Sequence, residues 1–344
     1  MKRVSLILAV LLCSSINVFA NPTIGMPTGS SGGTYFPMGS DIASLAAKQG
    51  LNIDVKTSAG SLANIRRMAG NENAGISIVQ SDVIDYLSKN PSRINKSVLR
   101  GLTLVFPLYN EEVHLLAHKE ITSINDLKNK RVVVGKLGSG THITANNILN
   151  IVDINVNQVY ELSPKEAYES LILGKVDAVF FVGGKPVSYI NGLLEMSSNE
   201  RLRKYTDTIH LVPLDDERLY ESYAKASFLP QDYVTKDGLR QLTKVTVPTV
   251  AVKAIMVSHD FSKKTSRYYK MRCKQIGQIN TIVRQNLDLL ISGGSSENNY
   301  HPKWSQVDLD QPVELAKSSC IKDESDADEL KQIDCYLQTG AACE

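Results

Sequence analysis

The sequence predicts an α/β protein of two lobes that close on an anion. Three observations carry that expectation: a pair of glycine-rich loops, a regular strand, loop, helix alternation, and a length suited to two domains. The loops are Thr28-Gly29-Ser30-Ser31-Gly32-Gly33-Thr34-Tyr35 and Gly135-Lys136-Leu137-Gly138-Ser139-Gly140-Thr141, about a hundred residues apart. Each lies between a short apolar run and a helical pattern. Such a turn offers backbone N–H groups and small hydroxyls at a helix N-terminus, where the partial positive charge favours carboxylate or phosphate. At about 150 residues per domain, 344 residues make two domains with ordinary cores.

The first twenty residues read as an export signal, basic at Lys2 and Arg3, apolar from Val4 to Leu12, and cleaved after Ala20. The apolar run is shorter than the roughly 20 residues that span a bilayer. Val10-Leu11-Leu12 also lacks the small residues that precede a lipid-bearing cysteine, so Cys13 is not read as lipidated. Without Lys2 and Arg3 the 38 basic residues become 36, equal to the 36 acidic ones. That balance, with no basic stripe among aromatics, argues against nucleic acid. Composition is globular, 42% hydrophobic and 22% charged. An exported, soluble protein is the expectation.

In the first series, Thr23 to Met26 reads as a strand and Phe36 to Lys48 as a helix, with Pro37 in its first turn where no intrahelical donor is lost. Asn52 to Thr57 is a strand, Ser58-Ala59-Gly60-Ser61 a loop, and Leu62 to Ala69 a helix capped by Ser61. Gly75 to Val79 is a strand, after which Gln80-Ser81 opens a helix with Asp82 near its start.

A second series starts near Tyr109. Val113 to Ala117 is a strand, Ser123 caps a short helix from Ile124 to Lys128, and Arg131 to Val134 is a buried strand entering the second glycine loop. Thr141 to Asn150 is helical and Gln158 to Glu161 a strand. Ser163-Pro164 caps a helix from Lys165 to Leu173, which Gly174 ends. Val176 to Val182 is an apolar strand running into Gly183-Gly184-Lys185-Pro186, another candidate ligand loop. From Ala224 the texture changes, and Val245 to Val252 reads as a strand returning to the first lobe. A long helical region from Lys263 to Leu290 ends at Gly293-Gly294. Beyond Pro302 periodicity fades, and the acidic run Asp323 to Glu329 reads as a solvated tail.

Together these give a signal at 1–20, a first lobe at 21–107 and 224–302, a second lobe at 108–223, and a cysteine-bearing tail at 303–344. Four cysteines follow the signal, Cys273, Cys320, Cys335 and Cys343. In an exported chain they are disulfide candidates with three full pairings open. Three lie in the last 25 residues, which points to a local staple of the tail.

The first loop with Phe36-Pro37, then Thr57-Ser58-Ala59-Gly60-Ser61 with Asn64, then Val79-Gln80-Ser81-Asp82, then Gly138-Ser139-Gly140-Thr141, and Gly174-Lys175-Val176-Asp177-Ala178 resemble the TRAP-associated extracytoplasmic immunogenic (TAXI) family. The resemblance runs from about Thr23 to Pro302, with five motifs in order. It departs at Ser30 and Ser31, where a glycine is more usual, and in the cysteine-bearing tail. It implies a periplasmic solute-binding protein of the two-lobed Venus-flytrap type, type II-like, with the ligand cleft between the lobes. It further implies a small carboxylate ligand, glutamate or a dicarboxylate, and delivery to a fused permease of the tripartite ATP-independent periplasmic (TRAP) class. No cofactor is expected.

The candidate ligand contacts are Ser31, Gly32, Gly33, Thr34 and Tyr35 in the first loop; Ser58, Gly60, Ser61 and Asn64 in the second; Gln80, Ser81 and Asp82 in the third; and Ser139, Gly140, Thr141 and Gly183 across the cleft. Glycine lets backbone approach a ligand, and hydroxyls donate to it. Asp82 reads first as a charge at a helix N-terminus and second as a partner for a ligand ammonium. Phe181 reads as core. His114 and His118 would sit roughly 13 Å apart on a strand, too far to share a metal. Neither glycine loop has the spacing of a nucleophile elbow or the ending of a phosphate-binding P-loop, so capture rather than catalysis is expected. A binding protein of an ABC importer or of a signalling system would share these features.

Overall fold

A computed structural model of the chain describes residues 22–70, 73–293 and 299–321. The export signal at 1–20, Gly294, the acidic run at 323–329, Cys335 and Cys343 lie outside the described residues.

The first lobe is built in the expected order: β1 (Ile24–Pro27), α1 (Tyr35–Lys48), β2 (Ile53–Lys56), α2 (Ser61–Ala69), β3 (Ile76–Gln80), α3 (Ser81–Lys89) and α4 (Arg93–Arg100). Helix α1 buries Met38, Ile42, Leu45 and Ala46, the spacing of one helical face. The expected cap of α2 is corrected: Ser61 is the first helical residue, Gly60 is the N-cap, and the Ser61 hydroxyl accepts from the Gln80 amide at 3.1 Å. Gly60 stands at φ 116°, a conformation that side chains with a Cβ rarely adopt.

Then β4 (Leu102–His118) runs 17 residues without a break and carries the chain into the second lobe. There follow β5 (Arg131–Val133), α5 (Gly140–Ile151), β6 (Asn157–Val159), α6 (Pro164–Ile172), β7 (Ala178–Gly183), α7 (Ser188–Met196), α8 (Glu200–Thr206), β8 (Ile209–Leu211) and β9 (Ala224–Phe228). Ser163 and Glu166 form a reciprocal cap on α6, and Gly174 at φ 64° ends the turn after it. The return is β10 (Val247–His259), followed by α9 (Arg267–Gln285) and α10 (Leu287–Ile291).

Strands β4 and β10 pair antiparallel along most of their length and are shared by both lobes. In the first lobe β3 adds to β10, and β1, paired with β2, joins β3 through a bridge from Gly25 to Ala74. In the second lobe β7 adds to β4, followed by β5 and β6 in parallel, while β9 takes the far edge of β10. The β4–β10 register slips between Lys253 and Ile255, opposite Asn110 and Pro107, which is where the pair passes between lobes. The return was expected at Ala224, yet Phe228, Tyr233 and Val247 pack with Val179 and Leu211 in a second-lobe core. From Ala254 onward β10 joins the first lobe, Ala254 and Met256 packing with α1 and α9 and Ile255 and Val257 with Leu62, Ile65 and Val79.

The large sheet is covered on both faces at β7. On β7, Ala178, Phe180 and Val182 enter one core while Val179 and Phe181 enter the other, the alternation a two-sided buried strand requires.

The expected solvated tail is corrected up to Ile321. Trp304 is 0% exposed, and Val307, Leu309 and Ile321 share its core with α1 and α9. Lys303 is pinned to the shared strand, its Nζ donating to the Asn110 carbonyl at 2.9 Å and to Glu112 at 2.7 Å. Cys320 is bonded to Cys273 on α9, so it ties the C-terminal segment to the first lobe instead of stapling the tail locally.

Candidate functional site

Where the lobes face each other they enclose a cavity of about 260 Å3. The first lobe supplies Gly29 to Tyr35 in part, Ser58 to Ser61, and Gln80; the shared strand β4 supplies Glu111; the second lobe supplies Gly135 to Thr141 in part, Leu162 to Pro164, Ala167, Tyr168 and Val179 to Val182. Four helices begin at this cavity: α1, α2, α5 and α6. The first amides of an α-helix have no acceptor of their own, so the cavity wall is electropositive without any buried lysine or arginine in its lining.

The hydroxyls divide by what already holds them. Ser58 is committed, since its Oγ donates to Asn64 at 2.5 Å and accepts the Gly60 amide at 2.9 Å. Ser163 is committed too, donating to Glu166 at 2.6 Å. Ser139 caps α5 by accepting the His142 amide at 3.0 Å, and Thr141 accepts the Val182 amide at 3.1 Å. Both of those keep a proton to donate. Ser61 accepts from Gln80 and shares its remaining proton with the Tyr35 hydroxyl at 3.4 Å.

Gly140 is a point of close passage between the lobes. A Cβ there would fall 1.5 Å from Gln80 Oε1 and 2.9 Å from Ser61 Oγ. Only a glycine lets α5 approach the first lobe so nearly. The Ala63 amide likewise donates to the Gly138 carbonyl at 3.0 Å, and Ile143 of α5 lies in a core with Leu62 and Val83.

Of the candidate ligand contacts, Gly33, Thr34, Tyr35, Ser58, Gly60, Ser61, Gln80, Ser139, Gly140 and Thr141 line the cavity. Six others do not. Ser31 is exposed, and the Gly32 amide turns to the Tyr189 hydroxyl of α7 at 3.3 Å. Asn64 sits behind its loop, holding the carbonyls of Thr28 and Ile78 at 2.5 and 3.1 Å. Ser81 begins α3 outside the cavity. Asp82 faces the other lobe, accepting from Thr144 of α5 at 2.7 Å, and burial pushes its carboxyl up to about 7. Gly183 lies outside the lining, against the edge of the Phe181 ring.

Sequence reading also missed residues that do line it. Glu111 is 2% exposed and receives the Tyr35 hydroxyl at 2.6 Å; burial raises its carboxyl to about 8 even though that hydrogen bond lowers it. Tyr168 is buried with a hydroxyl that has no partner among the described residues. Its ring packs with Phe181 and Tyr189, and Phe181, expected as core, is both core and cavity wall. The available signal for Glu111 was a pair of acids, Glu111-Glu112, set inside an otherwise apolar run.

The two histidines of β4 have protein partners. His114 meets the Tyr233 hydroxyl at 2.7 Å, with burial lowering it to about 3, and His118 meets the Leu171 carbonyl at 2.8 Å. Among the described residues no group of three His, Cys, Asp or Glu could hold a metal ion.

Several solved structures are similar at low identity. The glutamate-bound GluR0 ligand-binding core from Nostoc punctiforme is 18% identical, with 76% of this chain and 93% of that chain covered at a TM-score of 0.41. An arginine-bound amino acid ABC transporter substrate-binding protein from Streptococcus pneumoniae is 13% identical, with 78% and 91% covered at 0.42. A conserved Candida albicans gene product, described as exhibiting the generic periplasmic binding protein structural fold, is 15% identical, with 84% and 82% covered at 0.46. In sequence, residues 26–271 match the NMT1-like family, a span that includes the glycine loops, the shared strands and all the cavity residues named above. The chain belongs to the NMT1-like family.

Proposed function

We propose that the protein is a periplasmic solute-binding protein that captures a small carboxylate and hands it to a membrane transporter. The observation that carries this reading is the convergence of four helix N-termini and spare hydroxyl protons on one interlobe cavity. Its 260 Å3 falls below the roughly 300–1,000 Å3 of sites that take drug-sized molecules, which favours a small metabolite such as a glutamate-like amino acid or a dicarboxylate. The hydroxyl–carboxylate pairs at the lining are a helix cap, Ser163 with Glu166, and a buried contact, Tyr35 with Glu111. Capture and release, with the lobes moving about β4 and β10, is the chemistry it supports.

A TRAP-type permease is the partner the sequence resemblance favours, and an ABC importer or a signalling receptor is the alternative. The fold supports each equally. Copurification of a crosslinked membrane protein separates them, a fused permease supporting the first and an ATPase-coupled complex or a kinase the second.

Ligand binding is tested by thermal unfolding with glutamate, glutamine, 2-oxoglutarate and C4 dicarboxylates. A guest at a hundredfold excess over its Kd stabilises by about 2.7 kcal/mol through mass action. A midpoint unmoved by every one of them would sink the carboxylate reading.

A further inference from the structure

Two consecutive acids on β4 have opposite fates. Alternation along the strand sends Glu112 toward Lys303, which pairs with it at 2.7 Å, while the Lys185 amide donates to its other oxygen at 3.0 Å. Glu111 goes to the other face and lines the cavity. Among the described residues it has no cation partner; its one hydrogen-bond partner is the Tyr35 hydroxyl, on Oε2. A buried carboxyl without a cation is expensive to ionise, and it invites one from outside. The helix N-termini of the same cavity ask for the opposite charge. Beside them the Tyr168 hydroxyl is buried without a partner, a second polar group left for a guest to satisfy.

We infer that Glu111 is the residue that selects for an amine, so that the guest is an amino acid whose carboxylate meets the helix N-termini and whose ammonium meets Glu111. This rests on the proposed capture of a carboxylate and narrows it against amine-free dicarboxylates. It also moves the ammonium partner from Asp82, which the structure commits to Thr144, to a residue on the shared strand.

The titratable groups that act on Glu111 are Tyr35 from α1 through its hydrogen bond and, through space, Asp82 from α3, Tyr109 and Glu112 from β4 itself, and Lys303, which is held by Glu112. The tyrosines are raised above their ordinary range and stay neutral near pH 7. Before a guest binds, Glu111 keeps its proton up to about pH 8. An ammonium requires the carboxylate, so its binding at pH 7 expels that proton, whereas an amine-free acid can bind with the proton in place.

The test compares matched acids with and without the amine: glutamate with glutarate, aspartate with succinate, leucine with 4-methylpentanoate. Calorimetry at pH 7 in two buffers of different ionisation enthalpy reads affinity and proton release together. Asp82 titrates in the same range but responds to closure by either member of a pair, so the difference within a pair isolates Glu111. The wild type should bind the best amino acid at least tenfold tighter than its amine-free match, releasing close to one more proton. Glu111→Gln should erase most of that preference while leaving the amine-free acid within about twofold. Proton release in the wild type needs no variant, so a misfolded Glu111→Gln would not spare the proposal. Equal affinity within every pair, no difference in proton release, or a preference intact in a folded Glu111→Gln overturns it and leaves carboxylate capture standing. If no acid of either series binds, both readings fall.

Discussion

The two glycine loops look alike in sequence and are used in different ways. The first, Thr28 to Tyr35, has no glycine at positive φ, and its glycines serve close approach. Gly32 presents its amide to Tyr189 of the second lobe, and Thr34 donates from Oγ1 to the Gly184 carbonyl at 2.7 Å. The second loop turns through two left-handed glycines, Gly135 at φ 84° and Gly138 at φ 88°, and delivers the N-terminus of α5 to the cavity. On the proposed reading the first loop mainly latches the lobes, and the second, which also touches the first lobe, mainly grips the guest. The same composition therefore encodes two jobs, because small residues at a helix start can either admit a neighbouring lobe or expose amides to a guest.

Substitution at Gly140 breaks the gripping side most severely. Gly140→Val places carbon where Gln80 Oε1 now sits, so Gln80, itself part of the cavity lining, must be displaced. Overpacking of this kind costs about 3 kcal/mol or more, roughly a hundredfold in affinity. Because the clash lies between lobes, the thermal midpoint of the ligand-free protein should stay within a few degrees. Calorimetry with the best ligand checks the first expectation and differential scanning calorimetry the second. Retained affinity would show that α5 need not approach the first lobe to hold a guest.

The alternation of strand, loop and helix was legible in the sequence because period-two and period-3.6 patterns are local. Small residues at helix starts pointed to both loops, and ten of the residues named as candidates line the cavity. What was illegible is non-local. The first lobe was expected to end its first segment at 107, yet that position lies inside β4, where the pairing with β10 slips instead of stopping. Trp304 and Lys303 belong to a segment with no periodicity of its own, since their partners are Asp41 on α1 and the strand at Asn110 to Glu112. Glu111 carries no motif; its role depends on which face of a strand meets the cleft, and Glu112 beside it is spent on Lys303. Asp82 was legible as an acid at a helix start, but not as one that closure buries.

Asp82 gives the gripping side a pH dependence that the latch lacks. Its carboxyl is buried against Thr144 of α5 and raised from 3.8 to about 7. The closed protein therefore holds more protons than one in which Asp82 is solvated. Closure is favoured in full below pH 4 and loses that advantage as pH rises through 7, with no further change above. Over pH 5 to 7 this amounts to about tenfold or more in affinity, about 1.4 kcal/mol or more. Asp82→Asn keeps an oxygen for Thr144 and removes the charge. Titrating wild type and variant with one ligand across pH 5 to 8 cancels Glu111, which both retain. A constant ratio of the two affinities would show that Asp82 does not titrate on closure.

The smallest effects are expected at the latch itself, and they sharpen the distinction between the loops. Thr34→Val removes a short, buried donor and leaves the Gly184 carbonyl unpaired, at about 1 kcal/mol or roughly fivefold in affinity. Tyr189→Phe removes only the acceptor of the longer 3.3 Å contact from Gly32, where the loop is half-exposed and water can substitute, for about twofold. Neither hydroxyl belongs to the anion-gripping set, so a latch should show itself in the rate of ligand release and not in which ligand is preferred. Stopped-flow displacement of glutamate and glutarate reads both quantities. Faster release of each by the same factor supports a latch; a change in the preference between them would instead place Thr34 among the groups that recognise the guest.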